Sequence, residues 1–161
     1  MRVYLMRHGP AIDRESPSCP PDPERPLSSA GAKKTRAVIE GLRRLDLAPD
    51  LLLSSPYVRA WQTADLVRKA LGTGEISASE ALLPLAQPDL LLAELRRRKP
   101  TVAFCVGHLP HLDLALAAML AAPQELTSLK KAGVACVELP ARGSGLLLWL
   151  ATPSMLRLLG D

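Results

Sequence analysis

Six short apolar runs divide the chain, and each has the length and the flanking residues of a β-strand. These runs cover residues 3–6, 50–54, 75–79, 101–106, 133–139 and 146–151. The run at 75–79 is the weakest and the run at 101–106 is the clearest. A segment containing glycine and proline joins the last two runs, which predicts a hairpin.

Between these runs, apolar residues recur at the spacing of an amphipathic helix. The four predicted helices run from Ser28 or Ser29 to Leu47, from Pro56 to Leu71, over residues 89–98, and from Pro110 to about Ala121. Strands that alternate with helices predict an open α/β sheet. In such a sheet, ligands bind outside the carboxyl ends of the strands.

Residues 10–28 fit neither a helix nor a strand, because six of them are proline. Long connections of this kind are uncommon in compact domains and are often the wall or the lid of a binding site. This segment also begins directly after His8, at the end of the first predicted strand. Disorder is the competing interpretation of the same composition.

Length and composition limit the possible functions. At 161 residues, the chain has the common size of one domain, so we expect a single domain over residues 1–161. Aromatic residues make up only 3% of the chain, which argues against binding of single-stranded nucleic acid by stacking. A net charge of +4 indicates a mild bias toward anionic ligands. The basic residues 96–99 are interpreted as a solvated helix end rather than as a nucleic-acid patch.

Cysteine usage and hydropathy bear on location. Cys19, Cys105 and Cys136 are odd in number and widely spaced, which favours reduced thiols in the cytoplasm over a disulfide framework. We find no secretory signal. The longest apolar stretch, near residues 112–122, contains Asp113 and is too short to span a bilayer, so it predicts a core helix and no membrane association.

Two histidines and two arginines follow predicted strands. Arg7 and His8 come directly after the first strand, and His108 follows the strand at 101–106. Arg59 falls in the first turn of the helix after the strand at 50–54, where the helix dipole disfavours a cation and a bound anion would explain it. We therefore expect these four side chains to meet at one edge of the sheet around an anionic group.

A metal site is the alternative interpretation of part of this edge, since Cys105, His108 and His111 could be imagined as ligands. We prefer an interpretation without a metal, because Cys105 lies inside a predicted buried strand. His111 is then expected to be an early helix residue that borders the pocket.

Taken together, the motifs resemble the histidine phosphatase superfamily, and within it the small phosphohistidine phosphatases of the SixA type. The similarity extends over nearly the whole length. It rests on Arg7-His8-Gly9, Arg25-Pro26-Leu27-Ser28 with Gly31, Ser54-Ser55-Pro56 with Arg59-Ala60, Gln62-Thr63-Ala64, and Gly107-His108. The resemblance implies a three-layer α/β/α fold of phosphoglycerate-mutase type, with a mostly parallel six-stranded sheet that contains one antiparallel strand.

The resemblance also implies roles for single residues. His8 is expected to be the phosphorylated nucleophile, with Arg7, Arg59 and His108 around the phosphoryl group. Permanently charged arginine forks suit the charge of a phosphoryl group in transfer, so neither a metal nor another cofactor is expected. The two cations should also disfavour protonation of His8 and leave a ring nitrogen free to attack phosphorus.

Substrate binding is expected to use Arg25 and Gly9. The sequence departs from the family pattern at the general acid, because Leu85 follows Leu83-Pro84 where some relatives have glutamate. Glu80 and Asp89 are the candidate replacements.

Three functions remain open. Short spacing between the motifs favours a pocket open to a phosphohistidine on another protein. A small phosphate ester, hydrolysed by a phosphomonoesterase or used by a mutase of the same superfamily, is the alternative substrate. A module that binds phosphorylated partners without turnover is a third and less favoured function.

Overall fold

Six strands form one mixed sheet in the computed structural model, which describes residues 1–160. The strands are β1 (Arg2–Arg7), β2 (Leu51–Ser54), β3 (Ile76–Ala78), β4 (Val102–Gly107), β5 (Val134–Glu138) and β6 (Leu146–Ala151). Their order across the sheet is β3-β2-β4-β1-β5-β6. Only β5 is antiparallel to its neighbours β1 and β6, which confirms the predicted sheet and the hairpin.

Five helices cover the two faces of the sheet. They are α1 (Ser29–Arg43), α2 (Val58–Leu71), α3 (Pro88–Arg98), α4 (His111–Met119) and α5 (Pro153–Gly160). Side chains alternate between the faces along each strand. Val3 and Leu5 therefore pack with the apolar residues of α3 and α4, whereas Tyr4 and Met6 pack with those of α1, α2 and α5. The result is the predicted three-layer α/β/α arrangement.

The ends of the helices reflect local chemistry. Ser28 caps α1, because its hydroxyl accepts a hydrogen bond from the Gly31 amide at 2.9 Å. α2 ends at Gly72, which adopts a left-handed φ of 65° that glycine tolerates. The prediction that the first helix extends to Leu47 is wrong, since α1 ends at Arg43 and the side chain of Leu45 is 38% exposed.

Helix α4 is the predicted core helix, and seven of its nine residues are buried. Among the described residues, no helix is long and apolar enough to cross a membrane. The sequence did not predict α5, which packs on α1 and buries Leu156 completely.

Strand register explains how the candidate residues meet. In the parallel pair of β1 and β4, Arg7 lies opposite Gly107, so His8 and His108 leave the sheet side by side. β2 borders β4 on its other side, and the Ser55 amide donates to the Val106 carbonyl at 3.0 Å. The carboxyl ends of three neighbouring strands therefore open at one edge.

The proline-rich segment 10–28 folds back over this edge. Its two ends are joined by an isolated bridge between Ala11 and Leu27, and a short 3-10 turn, Asp22–Glu24, lies between them. The segment supplies seven of the fourteen residues that line the cavity at the sheet edge. The segment is therefore ordered, and it forms a wall of the cavity at this edge of the sheet.

Candidate active site

His8 is held in one tautomer by its neighbours. Its Nδ1 lies 2.7 Å from the carbonyl oxygen of Gly9, and because a carbonyl can only accept, Nδ1 carries the proton. Its Nε2 lies 3.3 Å from the Nε of Arg59, which can only donate. The free electron pair of His8 therefore lies on Nε2.

The surroundings also keep His8 uncharged. Burial is the largest cause that lowers the pKa of His8, to about 3, and the charges of Arg59, Arg7 and Arg25 lower it further. The hydrogen bond to the Gly9 carbonyl acts in the opposite direction. The sequence-based argument from neighbouring cations thus has the correct sign, although burial contributes more. At neutral pH the ring is unprotonated at Nε2.

Arg59 lies in the first turn of α2, as predicted, and is 1% exposed. Its Nη1 donates to the backbone carbonyl of Asp22 at 2.6 Å, and its Nη2 donates to the Asp22 carboxylate at 3.1 Å. The guanidinium carbon lies 5.1 Å from the centre of the Tyr57 ring, within the range of a cation–π contact. Each of the three guanidinium nitrogens of Arg59 therefore has a hydrogen-bond partner.

Arg7 and Arg25 also line the cavity, as predicted. Arg7 donates from Nη1 to the Leu129 carbonyl at 2.8 Å, while its buried Nε has no partner among the described residues. Burial lowers the pKa of Arg7, and the nearby Asp113 carboxylate opposes that effect. Arg25 is 8% exposed and donates to the Ile12 carbonyl at 2.9 Å. Both guanidinium groups face a space that suits an anion.

His108 lies beside His8, with 5.0 Å between the ring centres. Its Nε2 lies 2.8 Å from the Ser55 hydroxyl oxygen, and that oxygen accepts a hydrogen bond from the Tyr57 amide at 3.3 Å. Its Nδ1 is buried and has no partner among the described residues. Burial, and then the neighbouring His8, lower the pKa of His108 to about 2, so this ring is also neutral.

Gly9 lies behind His8 and is not among the residues that line the cavity. Its carbonyl orients the His8 ring, and its amide donates to the Thr63 hydroxyl at 3.0 Å. A side chain at this position would collide with Thr35. Close packing behind His8 accounts for the glycine, and a contact between Gly9 and substrate stays a prediction.

A cavity of about 670 Å³ joins these groups. Five cations and three carboxylates line it, so its walls carry a surplus of two positive charges. The charged lining residues are Arg7, Arg14, Arg25, Arg59, Lys131, Asp13, Glu15 and Asp22. A phosphoryl group carries about two negative charges at neutral pH and would balance this surplus.

Neither candidate for the general acid reaches this cavity. Glu80 is exposed and borders an adjoining apolar groove, and Asp89 is exposed in the first turn of α3. Neither residue lines the space around His8. The carboxylates that do line it are Asp13, Glu15 and Asp22.

His111 is an early helix residue, as predicted, because it is the first residue of α4. It does not border the pocket: it is completely buried, and neither of its ring nitrogens has a partner among the described residues. Cys105 is also completely buried, and burial raises the pKa of its thiol. Across residues 1–160, no group of three or more His, Cys, Asp or Glu side chains is arranged to hold a metal ion.

Sequence reasoning did not identify Asp22 or assign a function to Ser55. Asp22 lies three residues before Arg25, in the segment already predicted to wall the site, and this spacing was an available signal. Ser55 was interpreted only as part of a helix start, yet it contacts His108. The contacts of Asp22 with Arg59 and of Ser55 with His108 depend on how the loop and the strand ends pack together.

The comparisons with known proteins agree with this geometry. A model of the histidine phosphatase superfamily (branch 1) matches residues 3–83, and the chain belongs to that superfamily. It is therefore a phosphatase that uses a histidine.

Within the superfamily, the chain is similar to phosphohistidine phosphatase SixA of Escherichia coli K12, with 27% identity over 98% of both chains. An uncharacterised protein of a Picosynechococcus strain is 33% identical over 83% of this chain and 82% of its own length.

Two solved structures share the fold. The histidine phosphatase SixA complexed with tungstate superposes with a TM-score of 0.85 at 26% identity, covering 96% of this chain and 98% of that one. The α-ribazole phosphatase of Shigella flexneri has a TM-score of 0.77 at 16% identity, covering 95% and 97%.

Proposed function

We propose that the protein hydrolyses the phosphoryl group of a phosphohistidine in another protein, through a covalent intermediate on His8. The observation that carries this proposal is the free electron pair on Nε2 of His8, which lies beside Arg59 at 3.3 Å in a cavity with surplus positive charge. A neutral imidazole whose ring nitrogen carries no proton is a nucleophile toward phosphorus.

Two transfers complete the reaction. In the first, Nε2 of His8 forms a bond to phosphorus, and the bond from phosphorus to the substrate nitrogen breaks with its electron pair left on that nitrogen. In the second, a water oxygen bonds to phosphorus, the bond to Nε2 breaks, and one proton of the water is released to solvent. Inorganic phosphate leaves, and His8 returns to its neutral form.

The positive side chains act on the phosphoryl oxygens. Charge spreads over three equatorial oxygens during transfer, and Arg7 and Arg59 are the proposed donors to them. If the Ser55 hydroxyl donates to Nε2 of His108, the proton of that ring lies on Nδ1, the nitrogen without a protein partner. His108 can then donate that proton to a further oxygen. Positive charge supplied by arginine supports a reaction without a metal ion.

The ionised state of Asp22 supports phosphohistidine as the substrate. A phosphate ester leaves as an alkoxide and needs a proton donor, whereas the imidazole of phosphohistidine can already carry a proton near neutral pH. Asp22 is the carboxylate nearest to Arg59, and the charges of three arginines outweigh its desolvation and lower its pKa. An ionised Asp22 cannot supply a proton.

A small-molecule phosphomonoesterase is the second candidate. It is favoured by the loop 10–28, which encloses a cavity of about 670 Å³, large enough for a small metabolite. The structural neighbour from Shigella flexneri is an α-ribazole phosphatase, which supports the same reading.

A substrate panel separates these candidates. We expect turnover of a phosphohistidine-bearing protein to exceed turnover of alkyl phosphates, and among esters we expect a steep preference for nitrophenyl phosphate. Comparable rates on alkyl phosphates and phosphohistidine would favour the small-molecule function. The absence of turnover on every phosphoryl compound would favour a binding module.

The intermediate is tested by rapid denaturation in base after mixing with substrate. One acid-labile phosphoryl group should be found on His8, and His8→Ala should lose both the label and turnover while remaining folded. Activity should survive a strong chelator. A phosphoryl group on another residue, or activity that only zinc or magnesium restores, would contradict the mechanism.

A further inference from the structure

Asp22 forms a bridge among the arginines of the candidate active site. One carboxylate oxygen accepts from Nη2 of Arg59 at 3.1 Å. The other lies 3.3 Å from Nε of Arg25 and 3.2 Å from Nη2 of Arg14. The backbone carbonyl of Asp22 also accepts from Nη1 of Arg59 at 2.6 Å.

The burial of these groups shows why such a bridge matters. The side chain of Arg59 is 2% exposed and that of Arg25 is 9% exposed, whereas the Asp22 side chain is 40% exposed at the cavity wall. Two nearly buried cations repel each other when no anion lies between them. Among the described residues, Asp22 is the only carboxylate that forms a salt bridge with either arginine.

We propose that Asp22 is a positioning residue, which holds Arg59 with its Nε directed at Nε2 of His8 and fixes Arg25 beside it. This inference rests on the proposed function. The Nε–H of Arg59 faces the atom where the new bond to phosphorus forms, so a small rotation of the guanidinium would remove its donor from the reacting group. Misplacement by about 1 Å can lower an enzymatic rate on the order of 100-fold.

Asp22 also carries a negative charge beside the place where a phosphoryl group binds. Its charge weakens the binding of an anion in the ground state, while its bonds maintain the arrangement used in the transition state. Loss of the carboxylate charge should therefore change these two quantities in opposite directions. A purely structural residue would not produce this combination.

The experiment compares Asp22→Asn with Glu24→Gln. Glu24 lies in the same 3-10 turn and loses the same charge, but it is exposed and does not line the cavity. For Asp22→Asn we expect kcat on nitrophenyl phosphate to fall about 10-fold or more. We also expect the concentration of inorganic phosphate that inhibits the enzyme to fall to about half of the wild-type value or lower. Glu24→Gln should change neither quantity, and Asp22→Glu should recover part of kcat.

A second measurement does not depend on turnover. In protein labelled with nitrogen-15 at arginine, the Nε–H of Arg59 should give a sharp, slowly exchanging signal, identified by its loss in Arg59→Lys. Asp22→Asn should broaden that signal or speed its exchange with water, and Glu24→Gln should leave it unchanged.

Three results would overturn the inference. An unchanged kcat would show that Asp22 is not needed for positioning, and an increased kcat would show that it blocks the arginines instead. A fall in kcat together with weaker phosphate inhibition and a lower melting temperature would indicate general loss of structure. If the wild-type protein hydrolyses no phosphoryl compound, the proposed function fails, and the arginine signal alone decides whether Asp22 positions Arg59.

Discussion

Acidification should destabilise this protein, because all three of its histidines are buried. His8 is 6% exposed, His108 is 1% exposed and His111 is completely buried. Burial is the largest cause that lowers the pKa of each of them. In the unfolded chain, the same imidazoles titrate near pH 6.5.

The sign and the size of the effect follow from this difference. Between about pH 6.5 and 3, the unfolded chain binds protons at His8 and His108 and the folded protein does not, so the free energy of unfolding decreases as the pH falls. The loss is about 1.4 kcal/mol per pH unit for each group. At pH 5 this amounts to about 2 kcal/mol for His8 and about 2 kcal/mol for His108, whose pKa values are lowered to about 3 and about 2. His111 acts in the same direction.

Urea unfolding at pH 7, 6 and 5 measures this loss. The interval is chosen because Asp22, Asp50 and Asp65 have lowered pKa values, so their contributions are lost only at more acidic pH. The pKa of Asp113 is raised, and its protonation opposes the histidines as the pH falls. The variant His108→Asn should lose about half of the effect that His8 and His108 produce together.

Two results would refute the reasoning. A free energy of unfolding that stays constant between pH 7 and 5 would mean that the histidines are not held neutral. An identical pH dependence in the wild type and in His108→Asn would mean that the loss comes from other groups.

Two further predictions concern the site. Arg59→Lys keeps the charge but cannot bridge His8 and Asp22, so turnover should fall roughly 100-fold, as for the loss of one transition-state donor. Arg43→Lys, on the exposed face of α1, is the control. Equal rates in both variants would show that Arg59 does not contact the phosphoryl group. Glu80→Gln and Asp89→Asn should each change the rates of ester and phosphohistidine hydrolysis less than about 2-fold, because these exposed surface changes leave the cavity wall intact. If one variant selectively loses ester hydrolysis in a kinetic assay, the residue it replaces is the general acid.

The strand ends could be predicted because they depend on local pattern. Val3 to Met6 form an apolar run that ends in Arg7 and His8, and the run at 101–106 ends before His108 in the same way. Parallel strands place such ends at one edge, and neighbouring positions in the sheet then bring the two histidines together.

Contacts made by irregular backbone could not be predicted in this way. Asp22 reaches Arg59 only because residues 10–28 fold back over the sheet edge, and no periodicity encodes that path. His111 directly follows Pro110 in the sequence, which does not show that the side chain of His111 lies in the core. α5 was not predicted because its eight residues are too few for a clear helical period.

The position of β1 within the sheet has a consequence for synthesis of the protein on the ribosome. β1 is made first, but its two partners are β4, which begins at Val102, and β5, which begins at Val134. Its apolar side chains and backbone amides therefore stay uncovered while most of the chain is translated. His8 gains its contacts with Arg59 and His108 only after these later segments are made, so the proposed nucleophile is synthesised long before its site is complete.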